Sequence, residues 1–229
     1  MTAREDATGH TEIEAVIFDL DGVLADTESV HLEATRSILA PAELEMEQYL
    51  QFVGGAWEPY VSWIEVTYGV PRETFDARYT PAIVNALRFG PSPAMAGADA
   101  VVRAIIRRDL RLGVASMSKR EWVEPTLDAI GLRDLFPLVV TLEDVERPKP
   151  DPEIYLHAAS LLGVAPEACL VVEDSVHGVA AAAAAGMRVV QLRQAVIASD
   201  PQPGAHVVIE SFREFDLGWL EGRPIAPRV

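Results

Sequence analysis

Six short apolar, β-branched runs punctuate the chain: Ile13 to Phe18, Leu112 to Ala115, Leu138 to Thr141, Leu170 to Val172, Val189 to Leu192 and Val207 to Ile209. They are nearly continuous in apolar residues rather than alternating, as strands buried on both faces are. Between most of them the spacing turns helical. Ile154, Ala158, Leu161 and Leu162 fall at i, i+4, i+7 and i+8, and Val179 to Ala185 is alanine-rich ahead of Gly186, a suitable C-cap. Buried strands alternating with helices predict a parallel sheet covered on both faces.

From about His31 to Pro93 the pattern differs. It has helical spacing, the aromatic anchors Trp57, Tyr60 and Trp63, and little strand signal, and so predicts a helical insert. Gly90-Pro91-Ser92-Pro93 suits a return hinge, because proline restricts its neighbours and glycine permits the turn. Asp200 to Gly204 reads as a loop and Glu221 to Val229 as a loosely held end. The expected division is a discontinuous α/β core over 12–30 and 94–215, an insert over 31–93 and a C-terminal tail over 216–229.

Composition narrows this picture only slightly. With 229 residues, 49% of them hydrophobic and 24% charged, the chain can hold one good core and a smaller appended domain. The formal charge of −16 argues against a nucleic-acid partner, which calls for a basic face. It does not exclude a small phosphate ligand, because exposed charge is screened and local groups decide what a pocket binds. No apolar run approaches the ~18 residues of a membrane helix, and the polar start from Met1 to Glu12 is unlike a secretory signal, so a soluble, cytoplasmic protein is expected. The lone Cys169, inside Ala168-Cys169-Leu170-Val171-Val172, reads as a buried structural thiol.

Candidate chemistry gathers at the carboxyl ends of the predicted strands, where parallel α/β sheets bind ligands. Asp19 and Asp21 follow the first strand, Ser116 ends Leu112-Gly113-Val114-Ala115-Ser116, Lys149 lies shortly after the Leu138 strand, and Glu173-Asp174 follow Leu170-Val171-Val172. Such a set suits phosphoryl transfer through an aspartate nucleophile. A carboxylate attacking an anionic phosphate needs its repulsion cancelled; acids suit an octahedral Mg2+, and a lysine and a hydroxyl can hold phosphate oxygens.

In order and type, Asp19-x-Asp21-Gly22-Val23, Ser116, Lys149 and Glu173-Asp174 resemble the four motifs of the haloacid dehalogenase superfamily. The stretches DLDGVLADTE, VASMSK, KPDPEIYLHAASLLGVAPE and VEDSVHGVAAAAAAGM are similar to its β-phosphoglucomutase-like branch. The resemblance covers roughly 12–30 and 94–215; the insert matches in position and helical character only. It implies an α/β fold with a Rossmann-like parallel sheet and an inserted α-helical cap that closes over the substrate. It also implies that Asp19 is the nucleophile, that Asp21 is the general acid and base, and that Ser116 and Lys149 grip the transferring phosphoryl group. The Mg2+ site would draw on Asp19, the backbone carbonyl of Asp21, Asp174 and the neighbouring Glu173, for which direct binding, binding through water and a purely supporting place all stay open. Thr27 and His31 match positions near the cap hinge and are candidates for substrate contact, though both also suit ordinary places in a first helical turn. Acids at both 19 and 21 point to phosphate chemistry rather than dehalogenation.

The resemblance therefore implies a Mg2+-dependent phosphatase of small phosphorylated metabolites, sugar phosphates foremost, working as a monomer or small homo-oligomer without nucleic-acid or membrane partners. Cleavage of phosphonates through a cap lysine is excluded, since the only lysines, Lys119 and Lys149, lie outside the insert. A sugar phosphate mutase is one alternative, but it needs a second phosphate grip on the cap, and Trp57 stands in Val53-Gly54-Gly55-Ala56-Trp57 where the mutase has an arginine. A non-catalytic phosphate-binding or regulatory module is the other.

Overall fold

The computed structural model describes residues 12–52, 57–193 and 199–221. Contacts divide the chain into two compact units, Met1–Asp26 with Ala94–Val229, and Thr27–Pro93. Helices α1 (Thr27–Leu39), α2 (Met46–Leu50), α3 (Trp57–Tyr68) and α4 (Arg72–Phe89) belong to the second unit. Helices α5 (Ala98–Ile106), α6 (Arg120–Ala129), α7 (Glu153–Leu162) and α8 (Val176–Ala184) belong to the first.

The first unit is built on a sheet of β1 (Ala15–Phe18), β2 (Arg111–Ala115), β3 (Leu138–Val140), β4 (Cys169–Glu173), β5 (Arg188–Leu192) and β6 (Val207–Ile209). The strand order is β3-β2-β1-β4-β5-β6, and every neighbouring pair is parallel. Each predicted apolar run is a strand. β3 stops at Val140 because Thr141 leaves the ladder: its backbone N–H and its hydroxyl donate to Asp144 Oδ2 at 2.7 and 3.0 Å, capping a short 3-10 turn.

Successive strand residues face opposite sides of a sheet, and here that parity assigns each side chain to one of two cores. Val16, Phe18, Leu112, Val114, Leu170 and Val172 pack with Val102 and Ile105 of α5 and Val123 and Leu127 of α6. Ala15, Ile17, Cys169 and Val171 pack with Ile154, Tyr155 and Ala158 of α7 and Val179 and Ala182 of α8. Each large aliphatic side chain so buried contributes roughly 1.5–3 kcal/mol. Cys169 is fully buried in the second of these cores, and burial pushes its thiol up to about 12, as befits a packing residue.

The chain end departs from expectation. Phe212, Phe215, Trp219 and Leu220 all join the α5–α6 core, with the Phe215 and Trp219 rings 5.4 Å apart. Residues 216–221, expected to open a loose tail, are thus partly core; their apolar positions recur at i, i+3, i+7 and i+8 from Phe212 and lay one stripe on the sheet. Residues 222–229 of that expected tail lie outside the described residues.

The second unit is helical and held by aromatic packing. Trp57 meets Tyr79 at 4.6 Å, Phe52 meets Trp63 at 4.9 Å and Phe75 meets Tyr79 at 5.2 Å between ring centroids. The tyrosine hydroxyls find partners within the unit: Tyr60 pairs with Thr35 Oγ1 at 2.7 Å, and Tyr49 donates to Glu28 Oε2 at 2.5 Å.

Candidate active site

Strand order β3-β2-β1-β4-β5-β6 reverses its direction of growth between β1 and β4, and a parallel sheet opens its binding crevice at the carboxyl ends of such strands. At the end of β1 the chain turns sharply. Leu20 O accepts the backbone N–H groups of Val23, Leu24 and Ala25 at 3.2, 2.9 and 3.0 Å, and Gly22 N–H donates to Ala25 O at 2.8 Å. Gly22 adopts φ +76°, a conformation that L side chains rarely take, which explains a glycine directly after the acids. Leu20, Val23 and Leu24 are fully buried, so the turn that carries Asp19 and Asp21 is packed rather than loose.

Register fixes what Asp19 meets. Phe18 pairs with Val172, and Asp19 N–H donates to Val172 O at 3.0 Å, so Asp19 comes alongside Glu173 on the α7–α8 face. Two adjacent buried carboxylates repel, and Lys149 stands between them, its Nζ 2.6 Å from Asp19 Oδ1 and 2.8 Å from Glu173 Oε1. Its third proton goes to Ala115 O at 3.2 Å, and the Tyr155 ring lies 4.8 Å from the ammonium.

Glu173 is 1% exposed and fully engaged. Oε1 accepts from Lys149 and from Tyr155 OH at 3.1 Å; Oε2 accepts from the backbone N–H groups of Asp174 and Ser175, each at 2.7 Å, and from Ser175 Oγ at 3.1 Å. The room for it comes from Gly178, where an added Cβ would fall 1.5 Å from Glu173 Oε1. Ser175 meanwhile caps α8 by accepting from Gly178 N–H at 3.0 Å.

Burial and charge set the protonation of this group. Burial would lower the Lys149 ammonium, but the carboxylates of Asp19 and Glu173 outweigh it and hold the lysine well above its ordinary value. Burial likewise acts to raise Glu173, and Lys149 with the Ser175 donors overcomes it, so Glu173 is held below the usual carboxylate range. Asp19 goes the other way: burial pushes it up, and Glu173 and Asp21 add to the rise against the opposing pull of Lys149. Asp174 is also pushed up by burial and by the neighbouring charges of Glu173 and Asp19.

Asp21 has a separate set of partners. Its Oδ2 accepts from Ser116 Oγ at 2.9 Å and from Ser118 Oγ at 2.8 Å, while Ser116 Oγ accepts from Ser118 N–H at 3.0 Å. Ser116, at the end of β2 and fully buried, is thus bonded to the second acid.

The structure brings Asp19, Lys149 and Glu173 into one bonded group and Asp21 and Ser116 into another, with Asp174 adjoining the first through its backbone. Thr27 and His31 lie in the second unit: Thr27 opens α1 and is buried, and His31 Nδ1 lies 2.9 Å from Tyr79 OH with the two rings stacked 5.9 Å apart. Ser118 and Tyr155 are site residues that the four motifs did not name as such. Tyr155 follows the buried Ile154 on the inner side of α7, a position where a hydroxyl needs a partner.

The donor set suits a small dication that prefers oxygen ligands. Asp19, Asp21, Glu173 and Asp174 face a single lysine, which leaves negative charge over, and the acids that burial pushes up are those without a full complement of donors. The two oxygens of Glu173 already accept five donors. Among the described residues no three His, Cys, Asp or Glu side chains form a ready cage. Among the described residues no helix is long and apolar enough to cross a membrane.

Residues 13–186 match the family model described as haloacid dehalogenase-like hydrolase. The chain is 34% identical over 212 residues to the putative phosphatase YhcW of Bacillus subtilis (strain 168), which covers 91% of this chain and 96% of that protein. It is 32% identical over 181 residues to the fructose-1-phosphate phosphatase YqaB of Escherichia coli (strain K12), covering 78% of this chain and 95% of that one. The crystal structure of CbbY from Rhodobacter sphaeroides in complex with phosphate superposes with a TM-score of 0.79 at 27% identity, over 91% of this chain and 99% of that chain. The parallel sheet, the acids at its switch point and a family match over most of the sequence agree: the chain belongs to the haloacid dehalogenase-like hydrolases.

Proposed function

We propose that this hydrolase is a Mg2+-dependent phosphatase of small phosphomonoesters, sugar phosphates foremost, with Asp19 as nucleophile and Asp21 as general acid and base. The observation that carries the reading is the division of partners between the two acids. Lys149 holds Asp19 by Oδ1, and two hydroxyls hold Asp21 by Oδ2, so each carboxyl is oriented and keeps one oxygen for chemistry.

The Asp19 carboxylate attacks phosphorus, the bond from phosphorus to the ester oxygen breaks, and Asp21 delivers its proton to the departing alkoxide. An aspartyl phosphate on residue 19 is left. Asp21, now ionised, takes a proton from water as that water attacks the same phosphorus, which frees inorganic phosphate and restores both acids. Lys149 and Ser116 hold phosphoryl oxygens; Ser116 would turn its one hydroxyl proton from Asp21, which Ser118 still holds, and of the three committed protons of Lys149 the long contact to Ala115 O at 3.2 Å is the one most cheaply exchanged for phosphate. Magnesium, held by Asp19, Asp174 and the backbone carbonyl of Asp21, would neutralise charge building on the phosphoryl oxygens. Glu173, whose oxygens already accept five donors, would position Lys149 rather than bind the metal.

The substrate class draws support from the relative named as a fructose-1-phosphate phosphatase and from the phosphate bound in the CbbY structure. The test is inorganic phosphate release from a panel of sugar, nucleoside, glycerol and glycolate phosphates with Mg2+, beside EDTA and Asp19→Asn. Release from a few sugar phosphates, lost in both controls, is expected. Silence across the panel in folded protein would overturn the reading.

A further inference from the structure

Gln191 is a lone amide inside the apolar strand β5, and it is fully buried. A buried amide is costly unless its donors and acceptor are paired, and every one of them here is spent on residues 199–202. Nε2 donates to Ser199 Oγ at 2.9 Å and to Asp200 O at 3.0 Å, and Oε1 accepts Gln202 N–H at 2.8 Å. Two residues on, Arg193 Nε donates to Ser199 O at 2.8 Å and its Nη1 pairs with Glu210 at 2.7 Å. Ser199 is therefore fixed from two sides. Its hydroxyl hydrogen is spent on the carbonyl oxygen of Asp174.

That last bond completes a symmetrical restraint. Glu173 Oε2 takes the N–H groups of Asp174 and Ser175, and Ser199 takes the oxygen of Asp174, so both peptide planes flanking the Asp174 Cα are pinned. The backbone of this residue has no freedom to relax, and its carboxylate is presented from a fixed base. Loss of a group that orients a ligand in this way typically weakens metal binding about 10–100-fold.

We propose that Ser199, anchored by Gln191, is a positioning residue for the cation site, acting through the Asp174 carbonyl to aim the Asp174 carboxylate. The inference rests on the metal-dependent reading of the site given above. It assigns a part in cation binding to residues after β5, outside the four motifs.

The test is calorimetric titration of Mg2+ into metal-free wild-type protein, Ser199→Ala and Ser199→Thr, with melting in EDTA and substrate kinetics at saturating Mg2+ alongside. Ser199→Ala should raise the Mg2+ dissociation constant about tenfold, with substrate KM at saturating Mg2+ unchanged; the metal-free protein should stay folded but melt somewhat lower, because a buried Gln191 N–H and the Asp174 carbonyl lose their partner. Ser199→Thr, which keeps the hydroxyl, should bind like wild type. Wild-type affinity in a folded Ser199→Ala protein, or equal weakening in both variants, would overturn the positioning role while leaving the phosphatase reading intact. A wild-type protein that neither binds Mg2+ nor releases phosphate would overturn both.

Discussion

At the end of β1 the chain leaves the sheet after Phe18, and the two acids that follow part company: Asp19 goes to Lys149 and Asp21 to a pair of serine hydroxyls. At the end of β4 Glu173 is still within the strand, turned into the layer of α7 and α8, and its oxygens are consumed by five donors. Two strands with the same sequence pattern, an apolar run meeting acids, thus end in different chemistry. What separates them is where the strand stops and how many donors surround each carboxyl. On the proposed mechanism, the acid with a full set of donors is a strut, and the acids with an oxygen to spare are the reagents.

Substitution can break this contrast in order of consequence. Asp21→Asn keeps the size and the hydroxyl partners but removes the proton to be moved, and should lower kcat on the best substrate by roughly 10²–10⁴-fold, with the melting temperature nearly unchanged. Glu173→Gln should show the reverse balance. It leaves the buried Lys149 with one carboxylate where it had two, and turns an amide N–H toward backbone donors or toward the ammonium, at a cost of about 3 kcal/mol in urea unfolding of the metal-free protein. If Glu173 were a metal ligand instead, Mg2+ affinity would fall and metal-free stability would hold.

A smaller effect appears on titration. Burial pushes Asp19 up to about 8 and Asp174 up to about 9, so folded protein without metal holds protons on these groups that the unfolded chain gives up near pH 4. For an acid raised in this way, stability is present below its ordinary range and is lost as pH rises through its folded value. The melting temperature in EDTA should therefore fall between pH 6 and 9, and Mg2+ should recover most of the loss. A flat EDTA profile would show that these carboxyls are already charged and compensated.

Much of this was legible in the sequence, for reasons visible in particular residues. Parallel strands buried on both faces read as continuous apolar runs, so β1, β2, β4, β5 and β6 could be placed within a residue or two. Asp19, Asp21, Ser116, Lys149 and Asp174 stood out because strand ends converge in this sheet. The inward turn of Glu173 was not legible from residue type, although parity with Cys169 and Val171 and the gap left by Gly178 together encode it. Gln191 was hidden by its neighbours, one polar letter between Val190 and Leu192 whose partners come from a loop. Trp219 and Leu220 were assigned to a tail because a 3-10 segment is too short to show helical periodicity by itself.

The central claim is that Asp19 carries the phosphoryl group during turnover. The direct measurement is to mix the protein with a good sugar phosphate and Mg2+, quench in acid within one turnover, reduce with borohydride and map the peptides by mass spectrometry. An acyl phosphate is reduced to the alcohol, so residue 19 should be recovered as homoserine in wild type with substrate, and as aspartate when substrate or Mg2+ is withheld. Rapid phosphate release with residue 19 recovered as aspartate throughout would contradict the account.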